Sequence, residues 1–118
     1  MAVRTEIWVK AHLRRCFATG LAGVVARRGA EEAGAVFVKV TRARDAVLLF
    51  GPAPGPSYDD QGQRRWIMPL GPEPATAEAV ETFLARQAAF DPDLWILDID
   101  DPRGNGLLES GNGDRTDA

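Results

Sequence analysis

Two apolar runs, Ala35 to Thr41 and Ala46 to Phe50, are separated only by the polar step Arg42 to Asp45. In the first run Val36, Val38 and Val40 alternate with Phe37 and Lys39, the period of two that a strand requires. So short a polar connection leaves no room for a crossover, and an antiparallel hairpin is the economical reading. The rest of the chain is read around that hairpin.

Upstream, Val9, Leu13, Cys16 and Phe17 recur at helical spacing within Thr5 to Phe17. Thr5 is the expected N-cap, Glu6 suits the positive end of the dipole, and Gly20 is a stop signal. Ile7, Val9, Ala11 and Leu13 also alternate as a strand would, but the helix accounts for more of the segment. Leu21 to Arg28 is open between strand and helix; Val24-Val25 and the flanking glycines favour a strand. Gly29 to Gly34 reads as a connection.

Downstream, Gly51 to Gly62 contains three prolines and cannot be a regular element. Its length makes it the expected adaptable loop. A strand is expected over Gln63 to Leu70, with Trp66 and Met68 on one face and Arg65 and Ile67 on the other; Pro69 suits an edge or an end. Helical spacing returns from Thr76 to Ala89 in Val80, Phe83, Leu84 and Ala88, and Asp91-Pro92 ends it. Leu94 to Ile99 reads as a buried strand with Trp95 in the core. From Arg103 the composition turns to Gly, Asn, Asp and Ser. The expected organisation is one domain over 1–102 with a flexible tail over 103–118. The order α-β-β-β-β-α-β implies an α+β fold, a mainly antiparallel sheet with helices packed on one face.

Trp8, Leu13-Arg14-Arg15, Ala26-Arg27-Arg28-Gly29, Gly34-Ala35-Val36, Val38-Lys39-Val40, Arg64-Arg65-Trp66, Arg86-Gln87 and Phe90-Asp91-Pro92-Asp93-Leu94-Trp95 form a pattern. It resembles the DUF1491 family, small alphaproteobacterial proteins of unknown function, from about Thr5 to Leu108. The resemblance implies a single cytoplasmic domain and supplies no activity, cofactor or site residue.

Composition excludes several function classes. One cysteine, Cys16, rules out an internal disulfide and a multi-cysteine zinc site, and one histidine, His12, rules out chemistry needing two imidazoles. The longest apolar run, Leu21 to Ala26, is far too short to span a bilayer, and the first residues lack a signal-peptide core. A cytoplasmic location without membrane contact is the expectation. Residues 1–65 carry a net charge of +5 and residues 66–118 one of −8, a split that one small domain can neutralise internally.

Each candidate constellation has a plainer alternative. Asp91, Asp93, Asp98, Asp100 and Asp101 suggest a metal-dependent hydrolase, but Asp is also at home beside Pro92 and Pro102 in turns. No phosphate-binding loop, dinucleotide fingerprint or zinc-protease motif is present, so no catalytic residue, metal ligand or cofactor is assigned. His12 and Cys16, one turn apart, could pair as base and thiol, yet Cys16 falls on the apolar stripe. The pairs Arg14-Arg15, Arg27-Arg28 and Arg64-Arg65, and Arg42 with Arg44, suggest a nucleic-acid regulator, but a sequence pI near 5.1 argues against one. Trp, Tyr and Arg are the types enriched at protein interfaces. A non-catalytic interaction module is therefore the leading reading, its surface at Tyr58, Asp59, Arg64 and Arg65 beside the Pro/Gly loop. On a strand Arg65 would face solvent, and Arg64 would sit at the rim, its stem on Trp66 and its guanidinium free for a carboxylate.

Overall fold

In the computed structural model, which describes residues 3–108, seven elements follow in the expected order: α1 (Thr5–Ala18), β1 (Ala22–Arg27), β2 (Val36–Ala43), β3 (Ala46–Pro52), β4 (Trp66–Ile67), α2 (Ala77–Phe90) and β5 (Trp95–Asp100). The hairpin forms as the alternation requires, with Val38 opposite Phe50 and Ala43 opposite Ala46. Its turn is tighter than expected, with Asp45 in the left-handed region at φ 59°. The segment left open between strand and helix is β1. The expected strand over 63–70 shrinks to Trp66–Ile67, because Pro69 follows at once.

The sheet order is β1-β5-β2-β3-β4. The last strand lies inside the sheet between β1 and β2, antiparallel to β1 and parallel to β2, with Val36 beside Trp95 and Thr41 beside Asp100. The other two pairings are antiparallel, so the α+β class and mainly antiparallel sheet hold.

The helices do not share one face, as the sequence reading had them. Val36, Val38, Val40, Trp95, Leu97 and Ile99 pack with Val9 and Cys16 of α1. Phe37, Leu49 and Ile96 pack with Val80 and Leu84 of α2 on the other side. Strands β2 and β5 are apolar on both faces, and a strand buried on both sides needs cover on both.

α1 also turns differently from its expected stripe. Thr5, Val9, His12 and Cys16 face inward, while Phe17 is 83% exposed. Arg4, not Thr5, is the N-cap, and no side chain caps the helix. The free N–H groups of Thr5 and Glu6 instead donate to the carbonyls of Glu32 and Glu31. In α2, Thr76 is the N-cap and accepts from Ala79, and Asp45 of the hairpin turn accepts from Ala77.

The 29–34 connection must pass very close to the start of β5. A Cβ at Gly29 or Gly34 would collide with the Asp93 carbonyl. That passage closes the Trp95 site: the ring is 1% exposed, its Nε1 donates to Ala30 O at 2.8 Å, and Arg28 lies over it at 5.2 Å.

Residues 103–108, assigned above to a tail, are folded against the core. Asp101 is buried, and its carboxylate accepts from the N–H groups of Arg103, Asn105 and Gly106. Gly104 and Gly106 supply the positive φ values of 82° and 57° that this tight turn needs. Leu107 and Leu108 pack on the α1-side core. The compact unit thus extends past 102, and the rest of the expected tail, 109–118, lies outside the described residues.

Trp95→Ala is expected to lower stability by about 3–5 kcal/mol in urea titration, and a variant as stable as the parent would mean an uncovered ring. Truncation after Leu108 should leave the melting temperature within a few degrees. Truncation after Pro102 should lower it sharply, because it strips Leu107 and Leu108 from the core and takes the Gly106 carbonyl from buried His12.

Candidate functional site

Trp8 precedes the inward line of α1 by one residue and stands on the flank facing the 51–65 loop. His12, one turn on, stacks against it with ring centroids 4.8 Å apart and planes 8° from parallel. Trp66 of β4 tilts against the same indole at 5.7 Å. The third neighbour is Arg64, whose guanidinium carbon lies 4.9 Å from the Trp8 ring centre and 5.2 Å from that of Tyr58. The cation is held between two aromatic faces.

This arrangement corrects the expectation for Arg64. It does not sit at the rim with its guanidinium free; the residue is 9% exposed. Its Nη2 reaches the Thr5 hydroxyl at 3.4 Å, and that hydroxyl donates onward to Gly34 O. No carboxylate pairs with it among the described residues, and Nε is buried without a hydrogen-bond partner. Burial pulls the guanidinium below its ordinary range, and Tyr58 acts in the opposite sense. The rings replace the missing counterion, since a desolvated cation–π contact contributes about 2 kcal/mol.

Arg65 is likewise not a free recognition group. Its Nη1 donates to the carbonyls of Pro54 and Pro56, each at 2.7 Å, and its backbone N–H donates to Ser57 O. Both bonds leave one guanidinium nitrogen, whose two N–H groups reach one carbonyl each. Asp59 accepts from the N–H groups of Gln61 and Gln63, closing the turn at the loop tip. The Pro/Gly loop is stapled rather than adaptable. Of the four expected surface residues, Tyr58 and Arg64 come together in one cluster, while Arg65 and Asp59 organise the loop beneath it.

A small cleft opens beside the cluster, its lining including Trp8, His12, Arg15, Gln63, Arg64 and Trp66. Its enclosed space of about 20 Å³ holds about one water molecule. The cleft admits the tip of a side chain, not a whole metabolite.

The other candidates take structural places. His12 Nε2 donates to Gly106 O at 2.8 Å, and Cys16 points to the same carbonyl. Burial pushes the Cys16 thiol above its ordinary value, which makes it a poor nucleophile. Of the acidic run, Asp91 accepts from Asp93 N, Asp98 approaches Lys39 at 3.5 Å, and Asp101 serves the backbone turn. Among the described residues no three His, Cys, Asp or Glu side chains gather to hold a metal ion. The Arg pairs diverge: Arg28 binds Glu6 and Glu31, while Arg27 donates to Pro92 O. No helix of the described residues is long and apolar enough to cross a membrane.

Arg64→Ala should cost about 2–4 kcal/mol in urea titration, from two lost cation–π contacts and the void between the rings. Arg65→Ser should cost about 1 kcal/mol and loosen the 53–57 backbone in hydrogen exchange. A neutral Arg64→Ala would show that the guanidinium is not held between Trp8 and Tyr58.

Comparison with known proteins agrees with this architecture. No curated protein matches the chain. A crystal structure of a DUF1491 family protein from Caulobacter crescentus CB15 shares 32% identity at a TM-score of 0.72, covering 92% of each chain. An NMR structure of a DUF1491 family protein from the same organism shares 34% at 0.74, covering 92% of this chain and 94% of that one. The solution structure of protein Atu0922 from A. tumefaciens shares 32% at 0.79, covering 98% of this chain and all of the other. Residues 3–109 match the family described as protein of unknown function DUF1491, and the chain belongs to that family.

Proposed function

We propose that the protein is a non-catalytic, cytoplasmic interaction module that receives an acidic side chain or terminal carboxylate of a partner protein at the Arg64 cleft. The observation that carries this reading is a buried guanidinium with no carboxylate of its own among the described residues. In a low-dielectric setting such a cation attracts an anion more strongly than an exposed arginine does. The aromatic wall of Trp8, Tyr58 and Trp66 supplies the side-chain types that dominate interface energies.

The size of the cleft favours a protein partner over a metabolite, because a small-molecule site encloses several hundred Å³. The buried thiol and the dispersed carboxylates give no constellation of nucleophile, base and orienting group on which to build a hydrolase.

NMR titration with a capped Asp/Glu-rich peptide, against its Asn/Gln counterpart, tests the reading. The acidic peptide should saturably shift the Trp8 and Trp66 indole signals and the Arg64 Nε–H signal, and the neutral one should not. No shift at millimolar peptide, or equal shifts with both, would overturn it.

A further inference from the structure

The two edges of the sheet are unequally protected. β4 is two residues long and runs into Pro69, whereas β1 offers six residues with no proline and no charge before Arg27. β5 covers one side of β1, and among the described residues nothing pairs with the other. Val24 and Val25 point to opposite faces and are 59% and 40% exposed. An uncovered apolar edge of this kind is a template for another strand.

Each face of that edge carries a specific feature. On the α1 side, Gly23 lies against Leu13, and Phe17, one turn further along the same flank, is 83% exposed. On the α2 side, Ala22 neighbours Asp100, Val24 neighbours Asp98, and Arg27 neighbours Ile96. Arg27 has no carboxylate partner and the exposed Asp100 has no cation among the described residues.

We propose that β1 pairs antiparallel with β1 of a second copy of this chain about a two-fold axis, joining the two five-stranded sheets into one. This surface is separate from the Arg64 cleft. A two-fold perpendicular to the sheet matches like faces, so the register must be symmetric about one residue. Centring on Val24 places it beside the partner's Val24 on one face and sets Val25 opposite the partner's Gly23 on the other. The valine then fills the space that the glycine leaves, under the exposed Phe17. The irregularity between Val25 and Arg27 puts Arg27 next in register, opposite the partner's Ala22. Across that small residue lies the partner's Asp100. Strands two apart are separated by about 10 Å, a span that an Arg and an Asp on one face close together. Symmetry repeats the pair, with Arg27 turning from the Pro92 carbonyl to the partner's Asp100 at both ends of the seam. The second copy supplies what the edge lacks.

Sedimentation velocity on the full chain tests this from low to high micromolar concentration. The expected mass rises from 12.8 kDa to twice that. Val24→Lys, at an exposed position that should leave the circular dichroism unchanged, should weaken the dimer by about tenfold or more. Arg27→Glu should weaken it too, and Arg27→Glu with Asp100→Arg should restore it, a readout independent of Val24. A monomer at every concentration would overturn the proposal and leave the edge to an extended strand of a different protein. A dimer indifferent to Val24→Lys, or a charge reversal that restores nothing, would also overturn it.

Discussion

The pairing of β5 between β1 and β2 is the constraint on which the rest of the structure depends. Among the described residues β1 has no other strand partner, and β2 has only β3 on its far side. Without β5 the sheet is two pieces, and the contacts by which it joins them are long-range in sequence. Trp95 fixes that strand at its first residue, with Ala30 and Arg28 holding the ring from the connection that has just left β1. The same connection offers the carbonyls of Glu31 and Glu32 to the first turn of α1. One short passage thus seats the core tryptophan, ends one strand, and satisfies the start of a helix.

The hairpin strands, β5 and both helices were legible because each carries its own periodicity; β1 was open between strand and helix, and β4 is far shorter than the expected strand. The placement of the helices was not legible, because β2 and β5 are apolar on both faces and periodicity does not say which layer lies above. The rotation of α1 failed for a related reason. Cys16 and Phe17 are adjacent and apolar, so either could end the stripe, and polar His12 looks like a surface residue. What buries His12 is a carbonyl from Gly106, a residue near the other end of the chain. Composition misled at that end as well, since glycine and asparagine there shape a turn around a buried aspartate instead of loosening the chain.

The site was legible in part. Placing Arg64 on the same side as Trp66, close to Tyr58, follows from alternation and from the ends of one loop. Trp8 entered the sequence reading only as one residue of the family pattern. No local pattern relates residue 8 to residue 64; only the topology brings them together. Arg65 was misjudged because its partners are backbone carbonyls, which leave no signature in side-chain identity.

The choice of arginine at position 64 carries its own argument. A guanidinium is flat, so it can lie between two rings, and its ordinary pKa is so high that it stays charged even when burial pulls it down. A lysine ammonium is strongly hydrated and sheds its proton readily when buried, so the same pocket would hold it poorly or hold it neutral. Lys39, also partly buried, is handled in the usual way: burial pulls its ammonium down, but Glu81 at 2.6 Å and Asp98 raise it above its ordinary value. Arg64 receives aromatic faces and a hydroxyl instead, which leave its net charge intact. Exposed arginines such as Arg14 act through water and are screened within a Debye length, whereas a buried charge such as Arg64 is screened less. The fold thus keeps a positive charge in the cleft wall that no carboxylate of the described residues neutralises.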